Sequence, residues 1–193
     1  MKSFIFSLIV LPCCQLLHAQ TIADGYCVTL SGDTVETKIK VPKDLFANIE
    51  IESLERKAKV TDSLSGSFKK LRADDIKGYG FNYKDKDFNF SAKPLKTNRL
   101  RFFKQLAIGK NAGCYYYYKT GYRGSKHETF LISSANKNDL VLKSLMSKKK
   151  IKNKMIAYFS DREDIQRLLQ TQSIRKIRFQ KSMQEIVEAI NEL

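Results

Sequence analysis

The chain has 193 residues and a formal net charge of +15, with 12 Phe and 9 Tyr but no Trp, 4 Cys and 2 His. That length supports a single domain with an aromatic-rich core, while so few Cys and His exclude the usual zinc spacing. A positive excess of this size points to anionic partners.

The first twenty residues narrow the choice of anion. Lys2 precedes the apolar run Phe4 to Leu11, and Leu17-His18-Ala19-Gln20 follows it, the three-part layout of a secretory signal peptide. The run is shorter than the ~20 residues a bilayer-spanning helix needs, and Pro12 interrupts it. Residues 1–19 are therefore read as a signal peptide cut before Gln20. The mature chain is expected in the periplasm, on the outer-membrane surface or outside the cell. Cys13 and Cys14 end the apolar run and raise a lipid anchor at Cys14 as an alternative. Neither cysteine follows the small residue that lipid attachment needs. No later apolar run reaches the ~18 residues of a membrane span.

Loss of Lys2 leaves +14 on the mature part. For an exported chain the anionic partners are lipid head groups, lipopolysaccharide phosphates, acidic polysaccharide or an acidic protein face, and nucleic acid is disfavoured. The mature cysteines are Cys27 and Cys114. An oxidising compartment permits a bridge between them, which would be worth ~4.5 kcal/mol in the chain-entropy model. Two buried free thiols are the alternative.

In chain order, Tyr26 to Leu30 and Thr34 to Val41 flank Ser31-Gly32-Asp33, a hairpin signal. Residues 49–60 read as the next strand after an irregular link at Pro42, and 61–67 as a polar turn. Ile76 to Tyr83 and Phe88 to Ser91 alternate aromatic and polar residues around Lys84-Asp85-Lys86-Asp87. Leu100 to Ile108 and Cys114 to Lys119 pair around residues 109–113, and Thr129 to Ser133 and Leu140 to Leu142 close the series. The prediction for residues 20–143 is an antiparallel β-meander of about seven or eight short strands.

Beyond residue 144 the apolar period becomes helical. Ile151, Met155, Tyr158 and Phe159 share a face, and Ser160-Asp161-Arg162-Glu163 and Ser182-Met183-Gln184-Glu185 have capping-box form. About three helices are expected over 144–193, in the same domain. The fold class is α+β.

Two constellations suggest binding. Lys148, Lys149, Lys150, Lys152 and Lys154, continued by Arg175, Lys176 and Arg178, form a basic cluster suited to an anionic envelope component or an acidic protein. Tyr115, Tyr116, Tyr117 and Tyr118, followed by Lys119 and Tyr122-Arg123, could stack on bases or sugar rings, with two of the four on either side of a strand.

Signals for catalysis are sparse. His18 leaves with the signal, so His127 is the only histidine of the mature chain, and it lies in a Gly-Ser-Lys-His-Glu stretch read as a loop. A hydrolase of envelope polymers using His127 is the enzymatic alternative. No nucleophile-elbow, zinc-protease, P-loop or dinucleotide motif accompanies it. Asp85 to Asn89 starts like a calcium loop, but the sixth position is Phe90 and the twelfth Lys96, where Gly and Glu are required. No cofactor, metal or catalytic residue is assigned.

Ala19-Gln20, Gly25-Tyr26, Gly32-Asp33-Thr34, Asp75 to Tyr79 and Tyr158-Phe159-Ser160-Asp161 together resemble small exported proteins of Bacteroidota without an assigned function. The resemblance implies an extracytoplasmic protein with no catalytic residues to carry over. It further implies O-glycan acceptors at Asp33-Thr34-Val35 and Asp62-Ser63-Leu64.

Overall fold

A computed structural model describes residues 21–44, 48–62, 65–95, 99–121, 125–175 and 178–193. Residues 1–19, expected to be a signal peptide, with Cys13 and Cys14, and Lys96, Tyr122, Arg123 and Lys176 lie outside the described residues. Ten strands form one antiparallel sheet: β1 (Thr21–Val28), β2 (Thr34–Val41), β3 (Ala58–Thr61), β4 (Phe68–Leu71), β5 (Gly78–Tyr83), β6 (Lys86–Leu95), β7 (Arg99–Ile108), β8 (Gly113–Thr120), β9 (Lys126–Ser133) and β10 (Leu140–Lys143). A short helix α1 (Ile51–Arg56) precedes β3, and α2 (Lys148–Tyr158), α3 (Glu163–Thr171) and α4 (Phe179–Glu192) follow the sheet.

The α+β class and the three C-terminal helices are as expected, but the strands exceed seven or eight and the meander is broken once. Strand order is β10-β9-β8-β7-β6-β5-β1-β2-β3-β4, so β5 pairs with β1 rather than with β4. Residues 49–60 are not one strand. Ile51 and Leu54 stand at helical spacing, Arg56 donates to Glu52 at 2.5 Å one turn back, and Leu54 is buried. The alternation Ile49-Glu50-Ile51 imitates a strand because two positions cannot separate a period of 2 from one of 3.6.

Both expected capping boxes are also corrected. α3 starts at Glu163 with Arg162 at its N-cap, and α4 starts at Phe179 with Arg178 there, neither with a side-chain cap bond. Ser182 lies inside α4, buried, its hydroxyl accepting from the Arg175 N–H at 3.2 Å and donating to the Ser173 carbonyl at 3.3 Å. It fixes the approach to the helix from within. The Ser147 hydroxyl does cap α2, accepting from the Lys150 N–H at 3.2 Å.

β7 divides the sheet into two halves. Its residues 99–104 pair with β6, and its C-terminal part from Lys104 to Ile108 pairs with β8 across an irregularity between Gln105 and Ala107. Inward side chains of β1, β2, β3, β5 and β6 converge with Phe102 and with Leu54 of α1 in one core. Tyr79 is stacked on Phe90 and set edge-on to Phe102, both at 4.9 Å, and its hydroxyl donates to the Leu54 carbonyl at 2.7 Å. A second core joins Cys114, Tyr116, Phe130, Ile132 and Leu142 to the apolar faces of α2, α3 and α4.

The seam between the halves is closed by one carboxyl group. β8 has no β7 partner beyond Tyr116, and the buried Glu55 of α1 accepts there from the Tyr118 N–H at 2.9 and 3.0 Å. Burial pushes the Glu55 carboxyl up to about 9. Burial in turn lowers the Lys104 ammonium facing it.

Cys27 and Cys114 are free and buried, which removes the bridge. Cys27 belongs to the first core and Cys114 to the second. Four strand spacings separate β1 from β8, about 19 Å at ~4.8 Å each, far beyond the ~7 Å a disulfide spans. Burial pushes Cys27 up to about 11 and raises Cys114 further, so both are poor nucleophiles.

Candidate functional site

The basic cluster of the sequence resolves into three places. Ile151 and Met155 turn into the second core, which leaves Lys149, Lys150, Asn153, Lys154 and Ala157 round a shallow depression on the outer side of α2. Lys148, Lys149 and Lys150 are exposed, and the first turn holds no acidic residue. Lysines at a helix N-terminus oppose the macrodipole. Among the described residues none of Lys148, Lys149, Lys150 and Lys154 forms an ion pair.

Lys152 is structural. Its ammonium donates to the Gln170 and Gln172 carbonyls at 2.5 and 3.3 Å, closing the C-terminal end of α3. Arg175 is exposed in the link to α4, and Arg178 lies at the α4 N-terminus in a depression it shares with Glu128, Glu185 and Glu188. Lys181 lines the same depression and pairs with Glu185 at 3.6 Å, so Arg178 belongs to a patch of mixed charge and not to the lysine face.

The four tyrosines divide as strand alternation requires. Tyr116 and Tyr118 face the helices, and the Tyr116 hydroxyl donates to Glu128 at 3.2 Å. Tyr115 and Tyr117 face the other way and pack with Phe103, Leu131 and Leu95. No helix residue joins this cluster among the described residues, although Phe103 and Leu131 are fully buried. Phe103 and Tyr117 lie 5.1 Å apart, and the Lys93 ammonium sits 4.5 Å over the Tyr115 ring while pairing with Asp139 at 3.3 Å. Burial raises the Tyr117 hydroxyl, and Arg101 beside it acts in the opposite sense.

This outer cluster floors a groove of about 560 Å³. Tyr117, Leu131, Val141 and Leu145 supply its apolar lining, and Arg99, Lys119, His127 and Lys143 its basic lining. His127 therefore stands on β9 rather than in a loop. It is exposed, its Nε2 is 3.2 Å from the Ser125 hydroxyl, and it has no carboxylate partner among the described residues. A His needs such a partner to be oriented as a general base in a triad.

A larger depression of about 770 Å³ marks the outer face of the other half. Its polar groups satisfy one another: Lys38 pairs with Asp24 at 2.7 Å, the Tyr26 hydroxyl donates to Asn89 at 2.9 Å, and the Asn82 amide donates to Asp87 at 3.0 Å. No group of three or more His, Cys, Asp or Glu that could hold a metal occurs among the described residues. No helix among them is long and apolar enough to cross a membrane.

Alternation along residues 115–118 foretold two outward tyrosines. The groove itself needed the register of β7 to β10, which carries Leu95, Leu131 and Val141 beside them across distances the sequence does not reveal. No protein-family model, no curated protein and no solved structure matches this chain.

Proposed function

We propose that the protein is an exported, non-enzymatic binding module of the cell envelope that engages an anionic partner through the outer side of α2. The observation that carries this reading is the set of unpaired lysines there. Lys148, Lys149, Lys150 and Lys154 repel one another and the helix dipole, and no carboxylate among the described residues pairs with them. A bound anion would relieve both terms.

The test is retention of the mature chain on heparin and on vesicles containing anionic lipid. A variant with Lys149, Lys150 and Lys154 changed to Glu is expected to lose retention, while a variant with Arg175 changed to Glu keeps most of it. Undiminished retention of the triple variant overturns the reading. Raising the salt concentration should weaken binding of the parent, because exposed charges are screened over about 8 Å at physiological ionic strength. The hydrolase alternative draws no support from His127, which has the Ser125 hydroxyl beside it but no orienting acid among the described residues.

A further inference from the structure

We propose that the groove on the helix-free face of β7 to β10 binds the acyl chain of an anionic lipid, with the lipid phosphate held by the basic row at its side. This surface is separate from the outer side of α2, so the two readings stand or fall independently.

The register sorts the groove into two rows. Leu131 stands opposite Tyr115 on β8 and Val141 on β10, which makes an apolar row across three strands. Lys143 and Tyr117 stand opposite Thr129, and Lys119 opposite His127, so the cations lie two and four residues farther along the same strands. At ~3.4 Å per residue the polar row starts about 7 Å from the apolar one. That separation matches an amphiphile lying along the strands, tail against Val141 and Leu145 above the buried Leu131 and head beside Lys119 and Arg99.

Charge complementarity fixes the sign of the head. Alternation from the outward Phe103, Tyr117 and Leu131 puts Arg99, Arg101, Lys119 and Lys143 on the same face, and no Asp or Glu occupies an outward position of β7 to β10. Glu128 lines the groove, but its carboxylate accepts from Tyr116 on the helix side. The tail has an apolar floor of ordinary ligand-site size. At the rim, Val141 is 36% and Leu145 76% exposed, apolar surface that a chain would cover. A sugar would find few hydrogen-bonding groups on this floor, and an inorganic anion would leave it wet.

The chain has no Trp, so Leu145→Trp places a single reporter on the exposed rim. The mature Leu145→Trp protein is titrated with decyl, dodecyl and tetradecyl phosphate below their micelle concentrations, and with inorganic phosphate. The expected result is a saturable blue shift that tightens with chain length, by up to about fourfold per added CH₂, and no response to inorganic phosphate. Val141→Asp in the same background is expected to weaken dodecyl phosphate binding at least tenfold while the thermal midpoint stays within a few degrees.

Absence of a shift, affinity independent of chain length, or undiminished binding by a folded Val141→Asp variant overturns the proposal. So does a lipid-free dimer in sedimentation that Leu145→Asp dissociates, because a second copy would then own the face. The α2 variant with Lys149, Lys150 and Lys154 changed to Glu should keep its dodecyl phosphate affinity. Loss of vesicle retention with groove binding intact leaves this proposal standing, and the opposite pattern leaves only the α2 reading.

Discussion

The two halves of the sheet treat their outer faces differently. In the half built on β1, β2, β5 and β6, outward positions carry Asp24, Tyr26, Asn82, Asp87 and Asn89, which bond to each other or to Lys38. In the half built on β7 to β10, outward positions carry Phe103, Tyr115, Tyr117 and Leu131 with cations around them. Each half already has an inner core, one round α1 and one under α2 to α4. The outer aromatic cluster is therefore a third apolar cluster on the face away from the helices, and the exposed apolar surface beside it is the rim formed by Val141 and Leu145, the kind of patch at which something binds.

The seam between the halves is where the comparison is easiest to break. Glu55→Ala would remove the acceptor of the Tyr118 N–H and leave a cavity beside α1. The expected cost is about 3 kcal/mol, read from the denaturant midpoint. Glu55→Gln keeps an acceptor and should stay within about 1 kcal/mol of the parent at the acid end, near pH 4.5 to 5, where the Glu55 contribution is still nearly complete. The two differ in pH dependence. The folded-state pKa of Glu55, about 9, lies above its value in the unfolded chain, so the native state holds the extra proton between roughly pH 4.5 and 9. Its contribution is complete below that window and is lost as pH rises through it, by at most about 1.4 kcal/mol per unit. Stability of the parent measured from pH 5 to 9 should fall more steeply than that of Glu55→Gln. Parallel profiles would show that Glu55 is charged in the folded protein.

Next in size is the clamp that holds α4 on its own half. The Asn191 side chain accepts from the Asn111 and Ala112 N–H groups at 3.1 and 2.9 Å and donates to the Ala112 carbonyl at 2.9 Å. Asn111 returns a bond to the Ile190 carbonyl at 2.9 Å. Asn191→Ala should cost about 2 kcal/mol and raise amide exchange in α4 before it does so in β1 or β2. Simultaneous loosening of both halves would mean that they unfold as one unit. On the other side, a Cβ at Gly80 would meet the Tyr26 ring at 2.7 Å and the Asn89 side chain at 2.3 Å. Gly80→Ala should therefore displace Tyr26, at a cost of roughly 1 to 2 kcal/mol, and leave groove binding unchanged.

The sequence was most legible where a pattern ran long enough to define its period. Thr34 to Val41 and the helical stretch from Ile151 to Phe159 appear in the fold close to where alternation and helical spacing put them. Short elements failed. α1 has six residues and β4 four, too few to show a period, and Phe68-Lys69-Lys70-Leu71 reads as polar because it is an edge strand with its lysines exposed. Serine spacing also misled. Ser-x-x-Glu occurs at both later helices, yet where each helix starts is decided by packing of Ile165 and Phe179, not by the hydroxyl. Of the site, the lysines of α2 were visible as composition. The division of labour among them was not, because the fate of Lys152 depends on where α3 ends.

The smallest expected effect has the opposite sign and bears on the half without a groove. Lys84 and Asp85 form the two-residue turn between β5 and β6 with φ of 51° and 58°. Two left-handed residues are what a type I′ turn requires, and its twist suits an antiparallel pair, but Asn-Gly meets the requirement with less strain than Lys-Asp. Lys84→Asn with Asp85→Gly should raise stability by about 1 kcal/mol, seen as a higher thermal midpoint. The turn lies at the far end of the Tyr26 and Asn89 network and touches neither α2 nor the groove. The gain should therefore appear with no change in dodecyl phosphate affinity or vesicle retention. A change in either would couple the polar outer face to the aromatic one and dissolve the distinction between them.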